Sequence, residues 1–203
     1  ISDLKPTGYS GTPSFLKILM EKARELGGDV SSIKRALVSG EALPPSLRDW
    51  FGENGVEVMQ CYASADLGLI AYESDTRGGM IVAEDIILEI VRPGTGDPVA
   101  EGEVGEVVVT SLNMDYPLIR FATGDLSAIA MGQSPCGRTN SRIKGWMGRA
   151  DQTTKVKGMF VHPHQIADVV KRHADITKAR LVVTRKDDVD VMTLACETDS
   201  ANF

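Results

Sequence analysis

The chain has 203 residues, 42% of them apolar and 25% charged, with 20 glycines and 9 prolines. That is the balance of an ordinary soluble globular protein, long enough for one full domain and a smaller companion. Its formal charge of -6, with no local gathering of Lys and Arg, argues against nucleic acid as a partner. No apolar run approaches the roughly 18 to 20 residues of a membrane span, and Ile1 to Gly8 lack the basic start and apolar middle of a signal peptide. A cytoplasmic protein with no membrane partner is therefore expected. Cys61, Cys136 and Cys196 are odd in number and widely separated, so they form neither a disulfide framework nor a CxxC metal pair and read as reduced thiols. The missing initial Met and the strand-like run just before Phe203 suggest a piece of a longer sequence.

A helix is expected from Thr12, which can cap it, with Pro13 in the first turn, an apolar face from Phe15 to Leu26, and Gly27-Gly28 as the stop. A short strand, Ala36 to Ser39, follows, and Gly40-Glu41-Ala42-Leu43-Pro44 turns the chain into a second helix, Pro45 to Glu53, with Leu47, Trp50 and Phe51 inward. Val56 to Cys61 is the next strand. This order is the layering of a parallel sheet, where loops at the carboxyl ends of strands collect ligand groups. Two such ends are Ser39-Gly40-Glu41 and Tyr62-Ala63-Ser64-Ala65-Asp66.

The texture changes after Ile70. Met80 to Val91, Gly105 to Leu112, Leu118 to Phe121 and Leu126 to Met131 read as β segments joined by Gly, Pro and Asp turns, a small β-rich subdomain. Arg142 to Asp151 reads as a connector. Beyond it, a strand from Val156 to Val161, a helix from His164 to His173 and a hairpin with Leu181 to Thr184 and Val189 to Cys196 as its arms outline a separate α+β unit.

Three groupings carry chemistry. Phe121-Ala122-Thr123-Gly124-Asp125 places a carboxylate after a glycine, where it can accept two hydrogen bonds from a ribose diol; alone, Thr-Gly-Asp is a common turn. Gly148-Arg149-Ala150-Asp151 and Lys155-Val156-Lys157-Gly158 form a basic, glycine-bearing stretch that suits a phosphate-bearing ligand; alone, it is a hinge with solvated charges. Tyr62 offers an aromatic face to a purine, Ser64 a hydroxyl to a phosphate oxygen and Asp66 a hard oxygen to Mg2+; alone, they are an ordinary strand-end loop. His162, His164 and His173 flank a helix and suggest no metal or catalytic role. There is no Gly-x-Ser-x-Gly elbow, and Gly94-Thr95-Gly96 is a loop rather than a dinucleotide fingerprint, which excludes hydrolase and dehydrogenase readings.

Together and in this order, Val38 to Leu43, Gln60 to Asp66, Glu103 to Val108, Tyr116 to Asp125 and Cys136 to Gly158 resemble the adenylate-forming superfamily, most closely its phenylacetate-CoA ligase branch. The resemblance covers most of the chain. It implies an α/β fold: αβ layers of a large AMP-binding domain over 1–70, a β-barrel-like subdomain over 71–148, and the start of a mobile α+β C-terminal domain over 149–203. It also implies ATP-dependent, AMP-forming ligation of a phenylacetate-like aromatic acid to coenzyme A through an acyl-adenylate, with ATP/AMP, Mg2+ and coenzyme A as cofactors. Small molecules are thus the expected partners; oligomeric state stays open, a homodimer being one option.

By the same resemblance Ser39, Gly40 and Glu41 sit near the adenine, Tyr62 stacks on it, Ser64 holds the α-phosphate, Asp66 stands with Mg2+, Asp125 grips the ribose and Arg149 reaches ribose or phosphate. Asp151 is the hinge, and Lys157-Gly158 line the route of the thiol. The chain departs from the branch at Ala63, where the family has Gly, and at Asp66, where it has Glu. Ser74, Met80 and a single Cys136 occupy the places of a structural zinc set found in some members, so no zinc is expected. The Ser/Thr/Gly-rich phosphate loop and the adenylating lysine lie outside the sequence, so the 203 residues alone are expected not to turn over. Transfer to a different acceptor and a non-catalytic nucleotide-binding module are the alternatives.

Overall fold

A computed structural model of the chain describes residues 1–156, 159–186 and 189–198. Its largest sheet is mixed and six-stranded, in the order β1-β2-β3-β4-β5-β9. The strands β1 (Gly8–Gly11), β2 (Arg35–Val38) and β3 (Glu57–Ser64) run parallel. From β3 onward pairing is antiparallel, through β4 (Gly68–Glu73), β5 (Met80–Val82) and β9 (Arg142–Ile143).

Two helices cover one face of the parallel part. In α1 (Pro13–Glu25) the Thr12 side chain accepts the Phe15 N–H, Pro13 sets the first turn, and Lys22 and Arg24 favour the carboxyl end. The helix closes with the Gly28 N–H on the Ala23 carbonyl and the Gly27 N–H on that of Arg24, a Schellman arrangement that Gly27 permits at φ 71°. Leu16 and Met20 of α1 and Phe51 of α2 (Pro45–Glu53) are fully buried against Val38, Val56 and Val58. Beneath α2, Arg48 donates to both oxygens of Glu73 at 2.7 and 2.9 Å and to the Val58 carbonyl, tying helix to sheet.

A second, three-stranded antiparallel sheet, β6 (Ile86–Val91), β7 (Gly105–Ser111) and β8 (Phe121–Ser127), packs on the antiparallel half of the first through Ile70, Ile90, Val107 and Val109. Buried Arg142 donates to the carbonyls of Gly78, Met131, Gly132 and Gln133, which fixes the loop before β5 and the segment before β9. The chain continues through a 3₁₀ turn, Ala150–Gln152, the hairpin β10 (Thr154–Val156) and β11 (Met159–Val161), α3 (Pro163–Lys171), and the hairpin β12 (Ile176–Lys186) and β13 (Val189–Thr198). Among the described residues no helix is long and apolar enough to cross a membrane.

Several expected boundaries are corrected. β1 precedes α1, and β4 follows β3 after only Ala65-Asp66-Leu67, so Tyr62 to Ser64 lie in a strand rather than a loop. The expected segment Met80 to Val91 is two strands of different sheets, and Val156 to Val161 is a two-stranded hairpin. Of the expected segments Leu118 to Phe121 and Leu126 to Met131, Phe121 and Leu126-Ser127 belong to one strand, β8, which runs through Ala122 to Asp125, while Leu118 to Arg120 and Ala128 to Met131 lie outside it.

Candidate active site

The path of β8 explains why an apparent turn sits inside a strand. Glu106 pairs with Leu126 and Val108 with Ala122, so Thr123, Gly124 and Asp125 stand opposite Val107 alone and bulge outward. Side chains replace the lost ladder bonds. The Thr123 hydroxyl donates to the Val107 carbonyl at 2.9 Å and accepts the Asp125 N–H at 3.2 Å, while the Gly124 N–H donates to Glu106 Oε1 at 3.2 Å. Gly124 takes φ 72°, a conformation glycine adopts without strain, and the Arg149 guanidinium packs on it, with Nη2 2.6 Å from where a Cβ would lie.

The bulge presents Asp125 to a cavity of about 580 Å³ beyond the carboxyl ends of the parallel strands. Ser39, Gly40 and Glu41 form one wall of it from the end of β2. That loop is held by the Ser39 N–H on the Gly11 carbonyl and by Glu41 Oε2, which accepts the Ser14 N–H at the start of α1. Tyr62 and Gln60 of β3 and Glu73 of β4 contribute the floor, and Lys144, Trp146 and Arg149 the opposite side. The cavity thus draws on both sheets and on the stretch after β9.

Three donors converge on the Asp125 carboxylate, whose side chain is 18% exposed. The Tyr62 hydroxyl donates to Oδ2 at 2.9 Å; the Trp146 indole N–H and Arg149 Nη1 both donate to Oδ1, at 3.0 and 3.2 Å. Burial first, with the Asp125 charge adding to it, pushes the Tyr62 hydroxyl well above its ordinary pKa, so it stays a neutral donor. Arg149 also donates to the Thr123 carbonyl at 3.3 Å and lies 3.6 Å from Asp151.

Six of the expected residues, Ser39, Gly40, Glu41, Tyr62, Asp125 and Arg149, therefore line one cavity. Ser64 and Asp66 lie outside its lining. The Ser64 oxygen accepts the Leu67 N–H at 3.1 Å in the β3–β4 turn, and Asp66 is exposed on that turn. Asp151 is exposed at the 3₁₀ turn beside Arg149. Lys157 and Gly158 fall outside the described residues. Among the described residues no three His, Cys, Asp or Glu side chains gather as a metal site, and the single carboxylate of Asp66 would hold Mg2+ only together with the phosphates of ATP. Trp146, Lys144, Gln60 and Glu73 were not expected; the one local signal for Trp146 is its place between Gly145 and Gly148, in a stretch that otherwise reads as a connector.

Comparison with known proteins gives the family. The AMP-binding enzyme family model matches residues 1–114. The chain is 31% identical over 212 residues to a phenylacetate-coenzyme A ligase of Thermus thermophilus, covering 100% of this chain and 48% of the relative. It is 28% identical to the phenylacetate-coenzyme A ligase of Escherichia coli, again covering 100% and 48%. A crystal structure of 2-hydroxyisobutyryl-CoA ligase, in an open conformation with 2-HIB-AMP and CoA, superposes with a TM-score of 0.81 at 28% identity, covering 97% of this chain and 45% of that one. The chain spans about half the length of the curated relatives it matches. With a family model matched over more than half its residues, and a nucleotide-sized cavity where that match and the bulged strand meet, the chain belongs to the AMP-binding enzyme family.

Proposed function

We propose that the full-length protein is an ATP-dependent, AMP-forming ligase that joins an aromatic carboxylate, phenylacetate or a close analogue, to coenzyme A through an acyl-adenylate. The observation that carries this reading is the convergence of the Ser39-Gly40-Glu41 loop, Tyr62, Asp125 and Arg149, from four separated stretches, on one cavity. In the first half-reaction a carboxylate oxygen attacks the α-phosphorus of ATP and the bond to the bridging oxygen of pyrophosphate breaks. In the second, the coenzyme A sulfur attacks the acyl carbon and AMP leaves.

The residues divide the work by position. Backbone groups and the Glu41 side chain at the β2 loop border the base, with the Tyr62 ring as its apolar wall. Asp125 accepts the ribose hydroxyls, and Arg149 stabilises ribose or phosphate by charge. The Ser64 hydroxyl, its oxygen already engaged by Leu67, retains its own proton for an α-phosphate oxygen. Asp151, exposed beside Arg149, is the pivot about which the residues that follow it turn between half-reactions, the mobile domain being 149–203 and residues 1–70 and 71–148 the two parts of the AMP-binding domain. Lys157 and Gly158 are assigned to the thiol route from the sequence alone. No step is assigned to a metal, because Asp66 stands outside the lining. The name of the Thermus and Escherichia relatives supports the aromatic acid and coenzyme A as substrates.

The test is AMP formation by the full-length protein with ATP-Mg, coenzyme A and a panel of carboxylates headed by phenylacetate. AMP release that needs both an aryl acid and coenzyme A, and that collapses in Asp125→Ala, is expected. No AMP with any acid from folded protein would overturn the reading.

A further inference from the structure

An ionised carboxylate offers about four lone-pair positions, two on each oxygen. In Asp125 the Trp146 N–H and Arg149 take both positions on Oδ1, and the Tyr62 hydroxyl takes one on Oδ2. A single position is left. A ribose diol that donates one hydroxyl to each oxygen therefore cannot add to this arrangement; one donor must leave Oδ1 first.

The two candidates differ in what they lose. Arg149 has other acceptors within reach, the Thr123 carbonyl at 3.3 Å and Asp151 Oδ1 at 3.6 Å, and its side chain is 44% exposed, so water can take its remaining protons. The indole of Trp146 has one N–H, already well placed on Oδ1 at 3.0 Å, and its backbone is held between the anchored strand β9 and the bond from the Met147 N–H to the Leu126 carbonyl. On leaving Oδ1 Arg149 keeps the Thr123 and Asp151 partners it already holds, whereas Trp146, itself 49% exposed, gives up the one protein acceptor of its indole N–H.

We propose that Trp146 is a positioning residue of the nucleotide site: with Tyr62 it fixes the plane of the Asp125 carboxylate, and the ribose enters by displacing Arg149 from Oδ1 while the indole bond persists. The proposal rests on Asp125 being the ribose acceptor. It makes Trp146 act on the nucleotide only through that carboxylate, and so only through the ribose hydroxyls.

The experiment measures pyrophosphate release by the full-length protein with its best carboxylate, using ATP and 2′,3′-dideoxy-ATP, for the parent, Trp146→Phe, Trp146→His and Asp125→Ala. Trp146→Phe keeps an aromatic ring and removes the N–H; Trp146→His restores a ring N–H. Losing a hydrogen bond to a charged acceptor should raise the KM for ATP roughly 10-fold in Trp146→Phe, with kcat within about twofold, and leave the KM for the dideoxy nucleotide unchanged. Trp146→His should recover part of the loss. Equal effects on both nucleotides would make Trp146 a wall for the base or a fold element and overturn the proposal, as would no effect on either. Asp125→Ala indistinguishable from the parent with ATP would instead remove Asp125 as the ribose acceptor, a failure of the underlying reading that the Trp146 variants would not produce.

Discussion

The ion pair beneath the cavity floor sets the scale of what this fold loses when one buried partner is removed. Arg48 and Glu73 are 16% and 10% exposed, joined by two bonds at 2.7 and 2.9 Å, and Glu73 also accepts the Gln60 backbone N–H at 2.8 Å and the Gln60 amide at 3.1 Å. Arg48→Met leaves the carboxylate with the two Gln60 donors. Glu73→Leu leaves a buried guanidinium with the Val58 carbonyl and strips the Gln60 N–H of its acceptor. Each single change should cost about 3 to 5 kcal/mol, Glu73→Leu the more of the two, because an unpaired buried charge is left behind. The double variant leaves no charge, only the Gln60 groups, at about 1 to 3 kcal/mol. Coupling should therefore be about 3 kcal/mol or more. Urea unfolding of the full-length protein, with an unchanged slope on denaturant, measures it. Single effects that add to within about 0.5 kcal/mol would show that the pair is not coupled as its geometry implies.

Tyr62→Phe retains the ring and loses the bond to Asp125, so the KM for ATP should rise by roughly 10-fold in a pyrophosphate-release assay; an unchanged KM would make the hydroxyl dispensable. Gly124→Ala should cost about 1 to 2 kcal/mol for its positive φ; wild-type stability in urea unfolding would contradict the strand geometry. His162 is held below its ordinary 6.5 by burial and then by neighbouring His164, against an opposing pull from Glu103. Its folded pKa being the lower one, its share of stability is intact above about pH 6.5 and is lost as pH falls through that lower value. His162→Gln should therefore flatten the fall in urea midpoint between about pH 7 and about pH 5, and identical slopes would clear His162 of responsibility.

The parts of the fold legible from sequence are those signalled locally. Thr12-Pro13 and Gly27-Gly28 bracket α1, and Pro45 opens α2, because caps and stops need only their own few residues. The antiparallel strands are written less plainly. The β3–β4 turn is signalled only by Ser64, Asp66 and Gly68, the last at φ 71°, which read equally as the end of a parallel strand until Tyr62 is seen opposite Ala71. Gly124 misleads in the other sense. Its positive φ makes a bulge within β8, not a chain reversal, and only the register against β7 distinguishes the two. Asp125, Tyr62 and Arg149 were legible as a set through their order along the chain. Trp146 was not, because its partner lies 21 residues earlier and no period or motif connects an indole to that carboxylate.

The bulge also explains how one site can be rigid and yet release a partner. A carboxylate on an ordinary loop would wander with it, whereas Asp125 is fixed by the Thr123 hydroxyl, which holds both the Val107 carbonyl and the Asp125 N–H, by Glu106 on Gly124, and by Tyr62 and Trp146 on its oxygens. Every one of those groups precedes Met147. Arg149 alone reaches Asp125 from beyond it, and its other charged neighbour is Asp151. Arg149 lies before the Asp151 pivot and its backbone is bridged to Asp125, so its exposed side chain alone, shared with Asp151, can leave Oδ1 without disturbing the acceptor that the ribose uses. In that arrangement the two half-reactions share one ribose grip, and the guanidinium is the part that changes sides.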